Sequence, residues 1–192
     1  MIGLVNMYSS HSDHFKYLVN AISLFGYKSH ILDGVHMSKT EVYDFISKSP
    51  IHVWIFSGGD HTVIEKESPQ VSLKLLQLKD KRFMFICYSM ESILYQMEYP
   101  IKKRAINKKE YFNQTISSQV KSYLFNNISF PMKLRRNHRW YFSSKDIVKP
   151  VELIASYNGE AMIATYKNAV LVQFHPERSA DGKKLLWNFL NV

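Results

Sequence analysis

Gly58-Gly59, Cys87, and His175 with Glu177 two residues later each stand at the end of an apolar run, and together they supply the parts of a nucleophilic acyl transfer. Cys87 is the sole cysteine of the chain. It would attack a carbonyl carbon, while His175 would take the thiol proton and later deliver a proton to a leaving amine. Glu177 would hold the imidazole tautomer that this requires. Backbone N–H groups of Gly59 and Tyr88 could bind the oxyanion, an interaction typically worth about 3 kcal/mol. Glycine at 59 suits that task, because the backbone must approach the substrate with no side chain in the way. Each residue alone has a plainer reading: a lone cysteine is usually a small buried hydrophobe, and a lone histidine a satisfied core or surface residue. Only their joint placement argues for chemistry.

That placement depends on the surrounding elements. Phe83 to Ile86 read as a short buried strand, and Met90, Ile93, Leu94 and Met97 recur at helical spacing, so Cys87 falls on the turn between strand and helix. A tight turn there pushes the side chain out of the sheet, and the helix N-terminus favours a thiolate. Upstream, Ile2 to Met7 read as a strand. A helix begins in the polar stretch Ser9 to Asp13, carries Phe15, Leu18, Val19, Ile22 and Phe25 on its apolar face, and is closed by Gly26. Lys28 to Leu32, a helix from about Thr40 to Ser47, and the strand Val53 to Phe56 follow, the last running into Ser57-Gly58-Gly59-Asp60. Pro69 to Leu78 has the spacing of a further helix. This alternation implies parallel strands with right-handed crossovers, a three-layer α/β fold whose sites form at the carboxyl ends of strands.

From Tyr99 to Phe130 the pattern is poor, and an irregular excursion with short strands is expected, followed by Lys133 to Phe142 with Asn137-His138-Arg139-Trp140. Val151 to Tyr157 and Ala161 to Tyr166 flank Asn158-Gly159, a hairpin signal. Ala169 to Phe174 reads as a strand and Lys183 to Leu190 as a closing helix. No repeat or linker interrupts the chain, so residues 1–192 are expected to form a single domain.

The chain has 192 residues and a formal charge of +9, from 25 basic against 16 acidic residues. Lys102-Lys103-Arg104, Lys108-Lys109 and Arg135-Arg136 are local basic clusters. Such a surface favours an acidic partner, a nucleotide or nucleic acid, although short clusters more often form a solvated face. No secretory leader or long apolar span is present, so a cytosolic protein that does not enter the membrane is expected. His11, His14, His30, His36, His52 and His61 show no metal-ligand spacing, and neither a metal nor a cofactor is expected.

With these residues in hand, the sequence resembles the class I, triad-type glutamine amidotransferases along essentially its whole length. Phe-Ile-Cys-Tyr-Ser-Met-Glu at 85–91 is similar to the family's Gly-Ile-Cys-Tyr-Gly-Met-Gln. Val-Gln-Phe-His-Pro-Glu-Arg-Ser at 172–179 resembles its His/Glu motif, and Ser57-Gly58-Gly59 its oxyanion loop. Cys-Tyr-x-Met, with Asn6 and Tyr8, is most similar to the glutaminase subunit of GMP synthases. The resemblance implies a flavodoxin-like sheet, mostly parallel, with a β-hairpin excursion toward the C-terminus. It implies hydrolysis of glutamine to glutamate, with ammonia passed to a separate synthetase. It also places Gly58, Glu91, His138, Arg139 and Trp140 at the substrate, with backbone near Arg139 and Trp140 holding the glutamine α-carboxylate.

The pattern departs from the family at Phe85 and Ser89, where glycines let strand and helix approach, at Glu91, where a glutamine helps bind the substrate amide, and at Asp60, where a proline follows Gly-Gly. An ionised carboxylate at 91 can accept a hydrogen bond from the substrate NH₂ but cannot donate one to its carbonyl. Two alternatives therefore stand beside the glutaminase: a γ-glutamyl hydrolase or peptidase acting alone, and a catalytically impaired relative that binds a partner or nucleic acid through its basic surface.

Overall fold

The computed structural model describes residues 1–9, 12–104, 110–114 and 121–192, the 110–114 segment as backbone. His11 and the basic pair Lys108-Lys109 lie outside the described residues. In chain order the strands are β1 (Ile2–Met7), β2 (Ser29–Asp33), β3 (Val53–Gly59), β4 (Arg82–Ile86), β5 (Ile101–Lys103), β6 (Glu110–Gln114), β7 (Met132–Arg136), β8 (Trp140–Phe142), β9 (Glu152–Tyr157), β10 (Glu160–Tyr166) and β11 (Ala169–Val172). The helices are α1 (His14–Leu24), α2 (Lys39–Lys48), α3 (Tyr88–Gln96) and α4 (Ala180–Leu190).

The central sheet has seven strands in the order β2-β1-β3-β4-β11-β10-β9. Pairing is parallel from β2 through β11, and antiparallel for β11 with β10 and β10 with β9. Strands covered on both faces read as continuous apolar runs, which is why β1, β3 and β4 show no polar alternation. The two-residue period still sorts their side chains. Trp54, Phe56, Phe83 and Phe85 pack to one side with Val42 and Ile46 of α2 and Met90, Ile93 and Leu94 of α3. Ile55, Met84 and Ile86 pack to the other with Leu18 and Ile22 of α1 and Leu185, Leu186 and Phe189 of α4. Burying each such side chain contributes about 1.5–3 kcal/mol relative to leaving it in water.

Local signals fix the starts of α2 and α4. Ser38 and Glu41 form a capping box at α2, with the Ser38 N–H donating to Glu41 Oε2 at 2.8 Å. Ser179 Oγ accepts from the Gly182 N–H at 3.2 Å at α4. Asn158 and Gly159 both take positive φ, 49° and 77°, the conformation of a tight hairpin turn joining β9 to β10.

One expected helix is absent. Pro69 to Leu78 forms only a 3₁₀ turn, Leu73–Gln77. The Val71 N–H donates to Ser92 Oγ at 3.0 Å and the Val71 carbonyl accepts from Gln96 Nε2 at 2.8 Å, so side chains of α3 satisfy backbone groups that a helix would have paired internally. The Lys133 to Phe142 stretch splits into β7 and β8, which pair with β6 and β5 in two separate two-stranded sheets. Residues 137–139 form the loop between them.

Candidate active site

Parallel strands place their carboxyl ends on one edge, and β1, β3, β4 and β11 there deliver Tyr8, Gly59, Cys87 and His175. Cys87 has φ 49° and ψ −107°, a left-handed conformation that costs a non-glycine residue about 1–3 kcal/mol. The turn is held from both sides. The Cys87 N–H donates to the Val172 carbonyl at 2.7 Å, and the Cys87 carbonyl accepts from the Glu91 N–H at 2.9 Å.

The two departures around the turn are absorbed differently. Phe85 is wholly buried and enters an aromatic layer, its ring centroid 5.0 Å from Phe56 and 5.7 Å from Phe83. Ser89 Oγ donates to the Ser57 carbonyl at 2.6 Å, tying the first turn of α3 to the glycine loop. That loop is close-packed as well. A Cβ at Gly58 would lie 2.7 Å from His175 Cε1 and 2.7 Å from the Tyr8 hydroxyl. At Gly59 it would lie 2.6 Å from the Met7 carbonyl and 3.0 Å from the Tyr88 ring.

His175 Nδ1 and Glu177 Oε1 are 3.0 Å apart, with both side chains buried. The His175 N–H donates to the Arg135 carbonyl at 2.9 Å, which fixes the residue past the end of β11. Cys87, Tyr88, Gly59, Glu91, His138, Arg139, Trp140 and His175 all line one cavity of about 250 Å³. Glu177 sits behind His175, and Gly58 packs under the imidazole edge. The volume lies just below the roughly 300–1,000 Å³ of pockets for drug-sized ligands, as suits a small polar metabolite.

Burial pushes the Cys87 thiol up, Glu91 and Glu177 add to the rise, and the Tyr88 backbone N–H and the Gln173 side chain oppose it. At neutral pH Cys87 is therefore a thiol. Burial likewise raises Glu91 to about 7, against a hydrogen bond from Gln173 Nε2 at 2.8 Å. Burial, then the charges of Glu177 and Cys87, raise the Tyr8 phenol, which stays protonated as a donor.

Reading the sequence missed Gln173, buried between Glu91 and Cys87, although it lies inside the His/Glu motif. It also missed Glu160, which accepts from Arg136 Nη1 at 3.1 Å and meets His138 Nε2 at 2.9 Å. No local pattern could reveal that cluster, because its members come from separate segments. His14 and His61, which show no metal-ligand spacing in the sequence, stand on the cavity wall with Asp60 and Arg178. Asp60 is held by Ser9, whose N–H donates at 2.9 Å.

The pattern that defines the family "Glutamine amidotransferase class-I" matches residues 6–191, and the chain belongs to that family. Among curated proteins it is 30% identical over 155 residues to the GMP synthase [glutamine-hydrolyzing] of Brachyspira hyodysenteriae, covering 77% of this chain and 29% of the relative. The corresponding enzyme of Clostridium tetani is 28% identical over 156 residues, covering 79% and 29%. The chain thus spans less than a third of the length of these relatives. In fold it is similar to a putative GMP synthase subunit from Thermoplasma acidophilum, with a TM-score of 0.75 at 14% identity, covering 100% of this chain and 93% of the other. A glutamine amidotransferase from Thermotoga maritima gives a TM-score of 0.67 at 14% identity, covering 100% and 83%.

Proposed function

We propose that the chain acts as a single glutaminase domain which hydrolyses glutamine to glutamate and ammonia and supplies the ammonia to a separate synthetase, as a GMP synthase requires. The observation that carries this reading is the placement of Cys87, on a strained strand-to-helix turn, and of His175, backed by Glu177, on the wall of the same cavity. With Glu177 accepting from Nδ1–H, His175 Nε2 is free to take the thiol proton. Cys87 Sγ then bonds to the carboxamide carbon, and the negative oxygen lies toward the N–H groups of Gly59 and Tyr88. His175 returns the proton to nitrogen, the C–N bond breaks, and ammonia leaves a γ-glutamyl thioester. Water, deprotonated by His175, hydrolyses the thioester to glutamate and restores the thiol. Arg139 and Trp140 would hold the amino-acid end of the substrate, together with Glu91 and His138 on the cavity wall, while Gly58 supports the His175 ring from beneath.

The carboxyl groups of Asp60 and Glu91 on the cavity wall favour a second reading, a γ-glutamyl hydrolase acting alone. Glutamate release from glutamine and from γ-glutamyl dipeptides, measured for the unaltered protein and for Cys87→Ser, tests both. The first reading expects turnover of glutamine that falls by about 10³-fold or more in the variant, the scale seen when a nucleophile is removed. Full activity of Cys87→Ser would sink either reading, and a preference for the dipeptides would move the assignment to the second.

A further inference from the structure

Glu91 is a carboxyl enclosed beside the nucleophile with no cation to balance it among the described residues. It stands one helical turn on from Cys87, its N–H donating to the Cys87 carbonyl at 2.9 Å, and both residues line the cavity. Its Oε1 accepts from Gln173 Nε2 at 2.8 Å, and that amide also acts on the Cys87 thiol, for which it has a second N–H to offer. Gln173 is wholly buried, and its Oε1 has no hydrogen-bond partner among the described residues. Carboxyl, amide and thiol are thus one buried cluster, contributed by α3, the segment past β11 and the β4–α3 turn.

The other titratable groups around the cavity face partners of their own. His175 Nδ1 meets Glu177 at 3.0 Å, His138 Nε2 meets Glu160 at 2.9 Å, and His61 Nε2 stands 3.5 Å from Asp60. Among the described residues no ion pair joins Arg139 or Arg178 of the cavity wall to Glu91. Burial raises the Tyr88 phenol and the charge of Glu91 adds to the rise, so this neighbour in α3 stays neutral. Cys87 is therefore the titrating neighbour that answers to Glu91: burial raises its thiol first, and Glu91 next.

When such a pair loses one proton, it becomes either a carboxylate beside a thiol or a carboxyl beside a thiolate. The two forms hold equal numbers of protons, so their ratio does not change with pH. Thiolate therefore grows tenfold per pH unit only until the carboxyl ionises, here at about 7, and then stays level until the second proton leaves. We propose that Glu91 is a positioning residue for the nucleophile, bridged to it by Gln173: Cys87 becomes a thiolate while Glu91 keeps its proton, and an ionised Glu91 holds Cys87 as the thiol. The small thiolate fraction then stops growing near neutral pH, where that of an isolated thiol would still rise. This goes beyond the glutaminase reading and holds for any acyl substrate of Cys87.

The test follows Cys87 alone. Iodoacetamide alkylation rates are measured from about pH 5.5 to 9 for the unaltered protein, Glu91→Gln and Gln173→Met, and carbon NMR at the Cβ of this sole cysteine reads the same titration without a reagent. In the unaltered protein the rate should rise tenfold per pH unit to about pH 7 and then level off. Glu91→Gln should keep rising, about tenfold or more ahead at pH 8.5 and within about twofold at pH 5.5. Gln173→Met removes the hydrogen bond that holds Glu91 down, so the break should move above pH 7. A merely structural Glu91 would change the melting temperature and leave the profile alone. A straight profile through pH 7 in the unaltered protein would overturn the proposal, whether or not the variants fold. So would a break that survives Glu91→Gln, since it would belong to another group such as His175. Neither readout involves glutamine, so a protein that shows the break yet turns over no glutamine would uphold the pair and contradict the glutaminase reading instead.

Discussion

Glu91 is on the first turn of α3, fully enclosed, with its carboxyl against Gln173 and close enough to Cys87 for its charge to oppose a thiolate. Its acid constant, raised from 4.5 to about 7, has a stability consequence whose sign is fixed. Between those values the native state holds a proton that the unfolded chain has released, so stability falls as pH rises from about 4.5 through 7. The full difference is on the order of 3 kcal/mol. Glu91→Gln, which has no charge to bury, is therefore expected to melt higher than the unaltered protein at pH 8 and by a much smaller margin at pH 5. The check is thermal unfolding of both proteins at the two pH values; a margin that stays constant would contradict the burial argument. Removing the charge also relieves Cys87, so iodoacetamide should alkylate the variant faster at pH 8.

Among elements, the β3 loop and the β4–α3 turn act as one unit, because the glycines of the first are packed against side chains of the second and of the His175 segment. The two glycines should fail differently. Gly58→Ala brings a methyl group against the His175 ring and the Tyr8 hydroxyl, both side-chain atoms that can give way. The protein should fold while kcat drops by about 10²-fold, the cost of displacing a reacting group by an ångström. Gly59→Ala meets the Met7 carbonyl, which belongs to the backbone of β1 and cannot swing aside. It should lower stability by about 1–3 kcal/mol, the usual cost of overpacking. Circular dichroism melts beside a glutaminase assay separate the two cases.

Elements were legible in the sequence wherever period and burial agree. The runs Val53 to Phe56 and Phe83 to Ile86 mark buried strands, and Asn158-Gly159 marks its turn without ambiguity. The segment Pro69 to Leu78 misleads because Val71, Leu75 and Leu76 are buried at helical spacing while Ser92 and Gln96 capture the backbone of Val71. Cys87 and His175 stand out in the sequence because each ends an apolar run, and Glu177 because it follows His175 by two residues. Glu160 could not, since Arg104, Arg136 and His138 reach it from positions 56, 24 and 22 residues earlier in the chain, and only the fold brings them together.

At the scale of the molecule, the parallel sheet gathers at one edge residues that the sequence spreads from Tyr8 to Glu177. No helix among the described residues is long and apolar enough to cross a membrane. A ligand that bridges strand ends from across the sheet should stabilise the whole fold by mass action. For a Cys87→Ala protein, glutamine at 100 times its Kd should add about 2.7 kcal/mol. For a chain of this size that raises Tm by about 5–10 °C. Asparagine, one methylene shorter, should give a clearly smaller shift.

The central claim is that elbow, base and substrate wall together make a glutamine site at Cys87. The most direct measurement is intact mass after exposure to diazo-oxo-norleucine, an electrophile shaped like glutamine, with and without excess glutamine. One adduct per chain, located on Cys87, suppressed by glutamine and absent from Cys87→Ala, is the predicted result. No adduct at Cys87, or one that forms at the same rate in the presence of excess glutamine, would contradict the account.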